Sequence, residues 1–419
     1  MEPPDMKNNT TTWPHIMYLF LTITISSLLI LIGLSKISFA IAVQLPKTGQ
    51  TQCYDLDGSV IDCEGTGQDG ESQKGVSWPD PRFTNHNDGT MTDNLTGLMW
   101  TRNAGTPAIG GCKAGGRDWE EAFVYVKCAN QANYAGYSDW RTPNVNELRS
   151  LANVGYNEQP ADYLSDWLTS QGFINVQLES YWASTQYVGD AVSAWCVYLW
   201  NGYTNYNYKI MDYYVWLVRD GKPTGTSSIF KTGQSQSSYP DDDGDLRDGV
   251  AWPSPRFTEN GDGTVLDNLT GLVWLKNANC KEAIAGINKA NGYLSWEKAI
   301  EWTSNLGSGH CGLDDGSSPG DWRVPNREEL ESLIDFGYTD LPLSDTTGTG
   351  QCSEGNPFSN VKPGFYWSSS TDFNAPYGQN GVTHHRGAWV VNMFNASVGS
   401  SDKTNVGFVL PVRDNNLSR

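Results

Sequence analysis

Residues able to face a core fall into three patterns along this chain, and each pattern occurs twice. Trp119, Phe123 and Val126 recur at helical spacing, as do Trp296, Ile300 and Thr303, so helices are predicted over 119–129 and 296–306. Short apolar runs with tight glycine turns form the second pattern. Asp93-Asn94-Leu95-Thr96-Gly97-Leu98-Met99-Trp100 follows the turn Asp88-Gly89-Thr90, and Asp267-Asn268-Leu269-Thr270-Gly271-Leu272-Val273-Trp274 follows Asp262-Gly263-Thr264. Both read as hairpin strands. Aromatic-rich β runs opening at Ala194-Trp195 and Ala388-Trp389, after Tyr181-Trp182-Ala183-Ser184 and Tyr366-Trp367-Ser368-Ser369, complete the set.

At the centre of each copy stands Asp139-Trp140-Arg141-Thr142-Pro143-Asn144, or Asp321-Trp322-Arg323-Val324-Pro325-Asn326. Proline holds the residue before it extended, so the helix starts after it. Asn144 and Asn326 then suit an N-cap, with Glu147 and Glu329 at the third helical position, where a carboxylate reaches back to the cap amide. Leu148 and Leu151, like Leu330 and Leu333, face inward. A duplicated domain follows. Spacing between equivalent motifs grows along the chain, which places insertions in loops.

The 419 residues carry a formal net charge of −19 with only 18% charged side chains. Such a surface excludes charge-driven binding of nucleic acid and argues against a general polyanion receptor. Met17 to Leu34 are almost wholly apolar, and small residues in Ser38-Phe39-Ala40-Ile41-Ala42 suit cleavage. Residues 1–42 are therefore expected to be a signal peptide, or an anchor if uncleaved. Eight cysteines agree with export. Cys112 with Cys128, and Cys280 with Cys311, occupy the same interval of each copy; Cys53 and Cys63 form a local pair whose counterparts are both missing from the second arm. Three disulfides are expected, leaving Cys196 and Cys352. No CxxC or Cys/His cluster points to zinc.

Together these motifs resemble the family named for the C-terminal domain of a Legionella collagen-like adhesin, over nearly all of residues 45–415 and twice over. The resemblance implies an α+β fold: two tandem domains similar to C-type lectins and the formylglycine-generating enzyme. Their limits are expected at 43–221, with an N-terminal arm, and 250–419, with 222–249 as a linker and each half folding by itself. The family's best-known member binds sulfated polysaccharide, but this chain lacks Gly-X-Y repeats and is acidic.

The repeated tryptophans read as core. Arg141 and Arg323 could face a ligand, against the plainer reading of a pair with Asp139 or a backbone carbonyl. Asp241, Asp243, Asp245, Asp55 and Asp57 could offer oxygens to calcium, but the full twelve-residue loop is absent and solvated turns are expected. No metal or cofactor is expected, and no enzyme. His86, His310, His384 and His385 have no repeated counterparts, and no nucleophile elbow, zinc helix or phosphate loop occurs. Cys196 lacks the partner that the formylglycine-type enzyme would need. Tyr198, Trp200, Tyr203, Tyr206, Tyr208 and Tyr213 crowd a short stretch of copy one only, and form the candidate ligand face, with plain strand packing as the alternative.

These readings predict an exported tandem binding protein, adhesin-like, in the secreted, periplasmic or cell-surface space of a bacterium. Its expected partner is an extracellular glycan or protein, with membrane contact only through an uncleaved N-terminus. The alternatives are a structural envelope module without small ligand and, more remotely, a formylglycine-type enzyme.

Overall fold

The structure, a computed structural model, describes Met1 and residues 42–158, 163–221, 225–372 and 386–415. Residues 2–41 of the expected signal or anchor, and His384 and His385, lie outside these residues. Ala42–Arg419 forms one compact unit. Among the described residues no helix is long and apolar enough to cross a membrane.

The fold is α+β, built on antiparallel sheets. Each copy has a small sheet followed by a larger one. In copy one, β3 (Phe83–Asn85), β4 (Thr90–Asp93) and β5 (Met99–Thr101) form the small sheet, closed by β9 (Val218–Arg219) from the end of the copy. Copy two repeats this with β10 (Phe257–Glu259), β11 (Thr264–Asp267), β12 (Val273–Leu275) and β16 (Val412–Arg413). The larger strands are β6 (Ser180–Gln186), β7 (Ser193–Tyr198) and β8 (Thr204–Tyr208), and β13 (Phe365–Asp372), β14 (Gly387–Asn392) and β15 (Val398–Asp402). These six make one sheet in the order β13-β14-β15-β8-β7-β6. Its two halves meet at the pair Val398–Thr204.

The helices predicted from periodicity are present at Trp119–Gln131 and Trp296–Ser304, and the short ones after the central motif at Val145–Arg149 and Arg327–Glu331. Asn144 and Asn326 cap the latter pair in complete capping boxes with Glu147 and Glu329. The motifs also hold one another. Arg82 is paired with Asp93 and donates to the Ser150 carbonyl, just as Arg256 pairs with Asp267 and donates to that of Ser332. One buried arginine thus ties the first strand, the Asn-Leu-Thr-Gly turn and the central helix, and each charge is neutralised where water is excluded.

The largest departure from expectation is the joining of the copies. Each copy has an arm before its first strand: residues 43–76, with β1 (Cys53–Tyr54), β2 (Val60–Ile61) and a short helix Asp69–Ser72, and residues 227–250, with the helix Asp243–Leu246. Each arm docks on the other copy. Asp69 and Gln50 bond to Ser370 and Thr371 of β13, whereas Asp243 and Gln234 bond to Thr185 and Gln186 of β6. Residues 225–249, expected as part of a linker, are mostly this docked second arm. The copies also share a hydrophobic core, in which Trp195 packs edge-on against Phe336 at 4.9 Å. Independent folding of the halves is therefore not what the packing supports: separation would expose that shared core to water.

Candidate binding face

The central motif is structural. Arg141 makes two 2.6 Å bonds to Glu147 and pairs with Asp220 and Asp248; Asp139 is taken by Arg219. Glu147 thereby serves the Asn144 amide and the arginine together. Arg323 repeats the arrangement with Glu329 and Asp414. Trp100, Trp140, Trp182 and Trp195 are buried, like Trp274, Trp322, Trp367 and Trp389, while Trp78 and Trp252 are half-buried beneath Arg82 and Arg256.

The acidic clusters serve the turns and the arms. Asp242 caps the helix Asp243–Leu246, Asp245 accepts from the Asp241 amide, and Asp55 accepts from the amides of Asp57 and Ser59. Asp243, expected in a solvated turn, is buried and accepts from Thr185 and Thr232; burial pushes its carboxyl up to about 7. Asp69 occupies the same place on the other copy and is pushed up to about 6 for the same reason.

All three expected disulfides, Cys53–Cys63, Cys112–Cys128 and Cys280–Cys311, are formed. Cys196 and Cys352 are free thiols, buried, and burial pushes them up to about 12 and about 11. Among the described residues, Cys280, Glu282 and Cys311 bring ligand-type atoms within 4.8 Å of one another. Two of these are oxidised to a disulfide, and Glu282 accepts the Cys311 amide, so the set is already engaged.

The six candidate aromatics do not act together. Tyr203 reaches across to copy two, where its hydroxyl donates to Asp372 at 2.7 Å and its ring lies 5.2 Å from Trp389. Tyr206 stacks on Tyr187 at 3.6 Å and meets Trp195 edge-on. Tyr213 packs 4.8 Å from Trp182, and its hydroxyl accepts from Asn207. Tyr198 and Trp200 are half-buried. Tyr208 alone is largely open, at 59% exposure. Presence in copy one only does not free these rings for a ligand, because the seam between the copies uses Tyr203 from one side.

Tyr208 belongs to an exposed apolar end whose other members, Val192, Ile210 and Met211, the sequence reading did not single out. Ser193 pairs with Tyr208, the Lys209 amide donates to Val192, and the Met211 amide donates to Tyr208. Val192, Ile210 and Met211 are 57%, 83% and 41% exposed. Lys209 lies 4.3 Å over the Trp119 ring, with its ammonium on Ser238. Copy two builds the same frame: the Lys403 amide donates to Arg386, and the Lys403 ammonium lies 4.1 Å over Trp296. There the Cys53–Cys63 hairpin covers the lysine, and Lys403 is fully buried, its ammonium pulled down to about 7 by burial. The signal for this difference was in the sequence, as the missing cysteine pair of the second arm.

The Lcl C-terminal domain family matches residues 89–219 and 263–413. No curated protein and no solved structure matches the chain. Two matched segments, each containing the hairpin, the capped central helix and the closing strand described above, make this chain a member of the Lcl C-terminal domain family with two tandem copies.

Proposed function

We propose that this is an exported recognition protein that binds an extracellular glycan or protein through copy one, on a fold related to C-type lectins and the formylglycine-generating enzyme. The observation that carries it is the exposed end formed by Val192, Tyr208, Ile210 and Met211, beside a lysine, Lys209, whose counterpart in copy two, Lys403, is covered. Exposed apolar groups gathered at one place mark contact surfaces. Three disulfides suit an oxidising compartment outside the cytoplasm. No catalytic role is assigned: the free thiols are buried and lie in different copies. A glycan array run beside pull-downs from envelope and surface fractions, with the Ile210→Asp variant as control, tests the reading. Ligand retained by the parent chain and lost by the variant supports it; retention by both removes the face from consideration.

A structural envelope module is the second reading, favoured by the use of Tyr203 and Tyr206 to hold the molecule together. Under that reading no soluble ligand binds, and deletion of the protein alters the envelope.

A further inference from the structure

The two arms are one element with one difference. Thr48 and Asp69 bond across 21 residues of chain, whereas their equivalents Thr232 and Asp243 bond across 11. The excess in the first arm is the Cys53–Cys63 hairpin, and that hairpin sits on copy two. Lys403 donates to the Tyr54 and Asp55 carbonyls at 3.2 and 3.4 Å, and Arg386 pairs with Asp57 at 2.7 Å. The chain thus covers Lys403, at this end of copy two, with a disulfide-closed loop of its own.

Copy one has the lysine but not the cover. Val192 stands in the place of Arg386, and Tyr208, Ile210 and Met211 stand where copy two has Asp402, Thr404 and Asn405. The hairpin covers Lys403 and pairs with Arg386, while Thr404, Asn405 and Val406 stay exposed beside it; copy one carries apolar side chains at the equivalents of Arg386, Asp402, Thr404 and Asn405. Leaving four such groups in water forgoes the stabilisation that covering them would bring.

We propose that the open end of copy one docks a polypeptide loop from an extracellular partner, as copy two docks its own hairpin. Backbone carbonyls of the loop meet the Lys209 ammonium, and an apolar side chain packs on Val192, Tyr208, Ile210 and Met211. This rests on the recognition reading above and narrows its ligand to protein. A sulfated glycan fits the face poorly. Its one ammonium has the carboxylates of Asp242, Glu120 and Asp190 around it, which repel a polyanion. Tyr208 is also the only largely exposed ring there, too little for a stack of sugars.

The test uses the full chain and a phage-displayed library of random loops closed by cysteines at the Cys53–Cys63 spacing, with a glycan array in parallel. Selected loops are expected to bind the parent chain and to lose about tenfold or more in affinity to Ile210→Asp and to Lys209→Met. They should lose as much to a chain whose second arm carries a copy of the hairpin at the equivalent position. Equal melting temperatures for parent and Ile210→Asp exclude misfolding as the cause. Loops that bind all variants equally, or no enrichment over a library panned on Ile210→Asp, overturn the proposal. Glycan binding that Ile210→Asp abolishes overturns it too, while sparing the recognition reading. If neither class binds the parent chain, both fall.

Discussion

Ser370 donates to Asp69 at 2.6 Å across 301 residues of sequence, and Thr185 donates to Asp243 in the same way at 2.7 Å. Each carboxylate also takes a hydroxyl from its own arm, Thr48 or Thr232. The two strands that supply the far hydroxyls, β13 and β6, both shift register over this stretch, between Trp367 and Thr371 and between Trp182 and Gln186. A bulge re-aims side chains, and here it turns a serine or threonine toward the opposite arm. The crossed arms are held by matched, buried, hydroxyl-bound carboxylates.

These carboxylates make stability depend on pH. Burial raises Asp69 to about 6 and Asp243 and Asp335 to about 7, from an ordinary 3.8. Glu329 adds to the rise at Asp69 and Arg323 opposes it, while Glu147 and Asp242 add to that at Asp243. An acid raised in the folded state holds its proton more tightly there. Its contribution is full below pH 3.8, falls as pH climbs through about 6 to 7, and is level above. The unfolding free energy from urea titrations should be greater at pH 5 than at pH 8, by a few kcal/mol, on the order of the shifts. The double variant Asp69→Asn, Asp243→Asn should flatten that slope; an unchanged slope would place the titration elsewhere.

Tyr203 and Tyr206 should behave as core. Replacing either with Ala removes a ring from the joined sheets and should cost about 2–4 kcal/mol by chemical denaturation. Tyr208→Ala should change stability by about 0.5 kcal/mol or less, since its ring is open to water. A neutral Tyr203→Ala would contradict the contacts with Asp372 and Trp389.

Separated halves should not stand alone. Residues 42–221 and 225–419 expressed apart each expose the shared core and lack the other's arm, so each should melt without cooperativity or aggregate. Mixed and refolded together, they should regain a single cooperative transition in differential scanning calorimetry. A half that melts as sharply and as high as the whole chain would refute a shared core.

Peptide mapping without reductant should return the three pairings Cys53–Cys63, Cys112–Cys128 and Cys280–Cys311. Cys196 and Cys352 should resist iodoacetamide until denaturant is added, because both are buried and hold their protons. Reducing Cys53–Cys63 should loosen the hairpin over Lys403 and cost about 2–3 kcal/mol. Faster amide exchange confined to residues near Tyr54 and Lys403 would report that loosening.

Local chemistry fixed a good deal of this protein in advance. Periodicity placed the two long helices, the Pro-Asn and Glu spacing placed the capping boxes, and paired cysteines placed the disulfides. Each rests on residues within a few turns of one another, which sequence spacing records directly. Duplication itself was equally legible, since both copies keep the same side chains for the same neighbours. What the sequence did not determine was which copy each arm would serve. Thr48 and Ser370 are far apart in the chain, and only the folded path brings them to one carboxylate. For the same reason the aromatic cluster misled: a ring unique to copy one serves equally well as a ligand surface or as a seam, and Tyr203 became a seam because copy two lies beside it. Tertiary structure also chose the exposed end around Ile210, by sending the only arm with a hairpin to the other side.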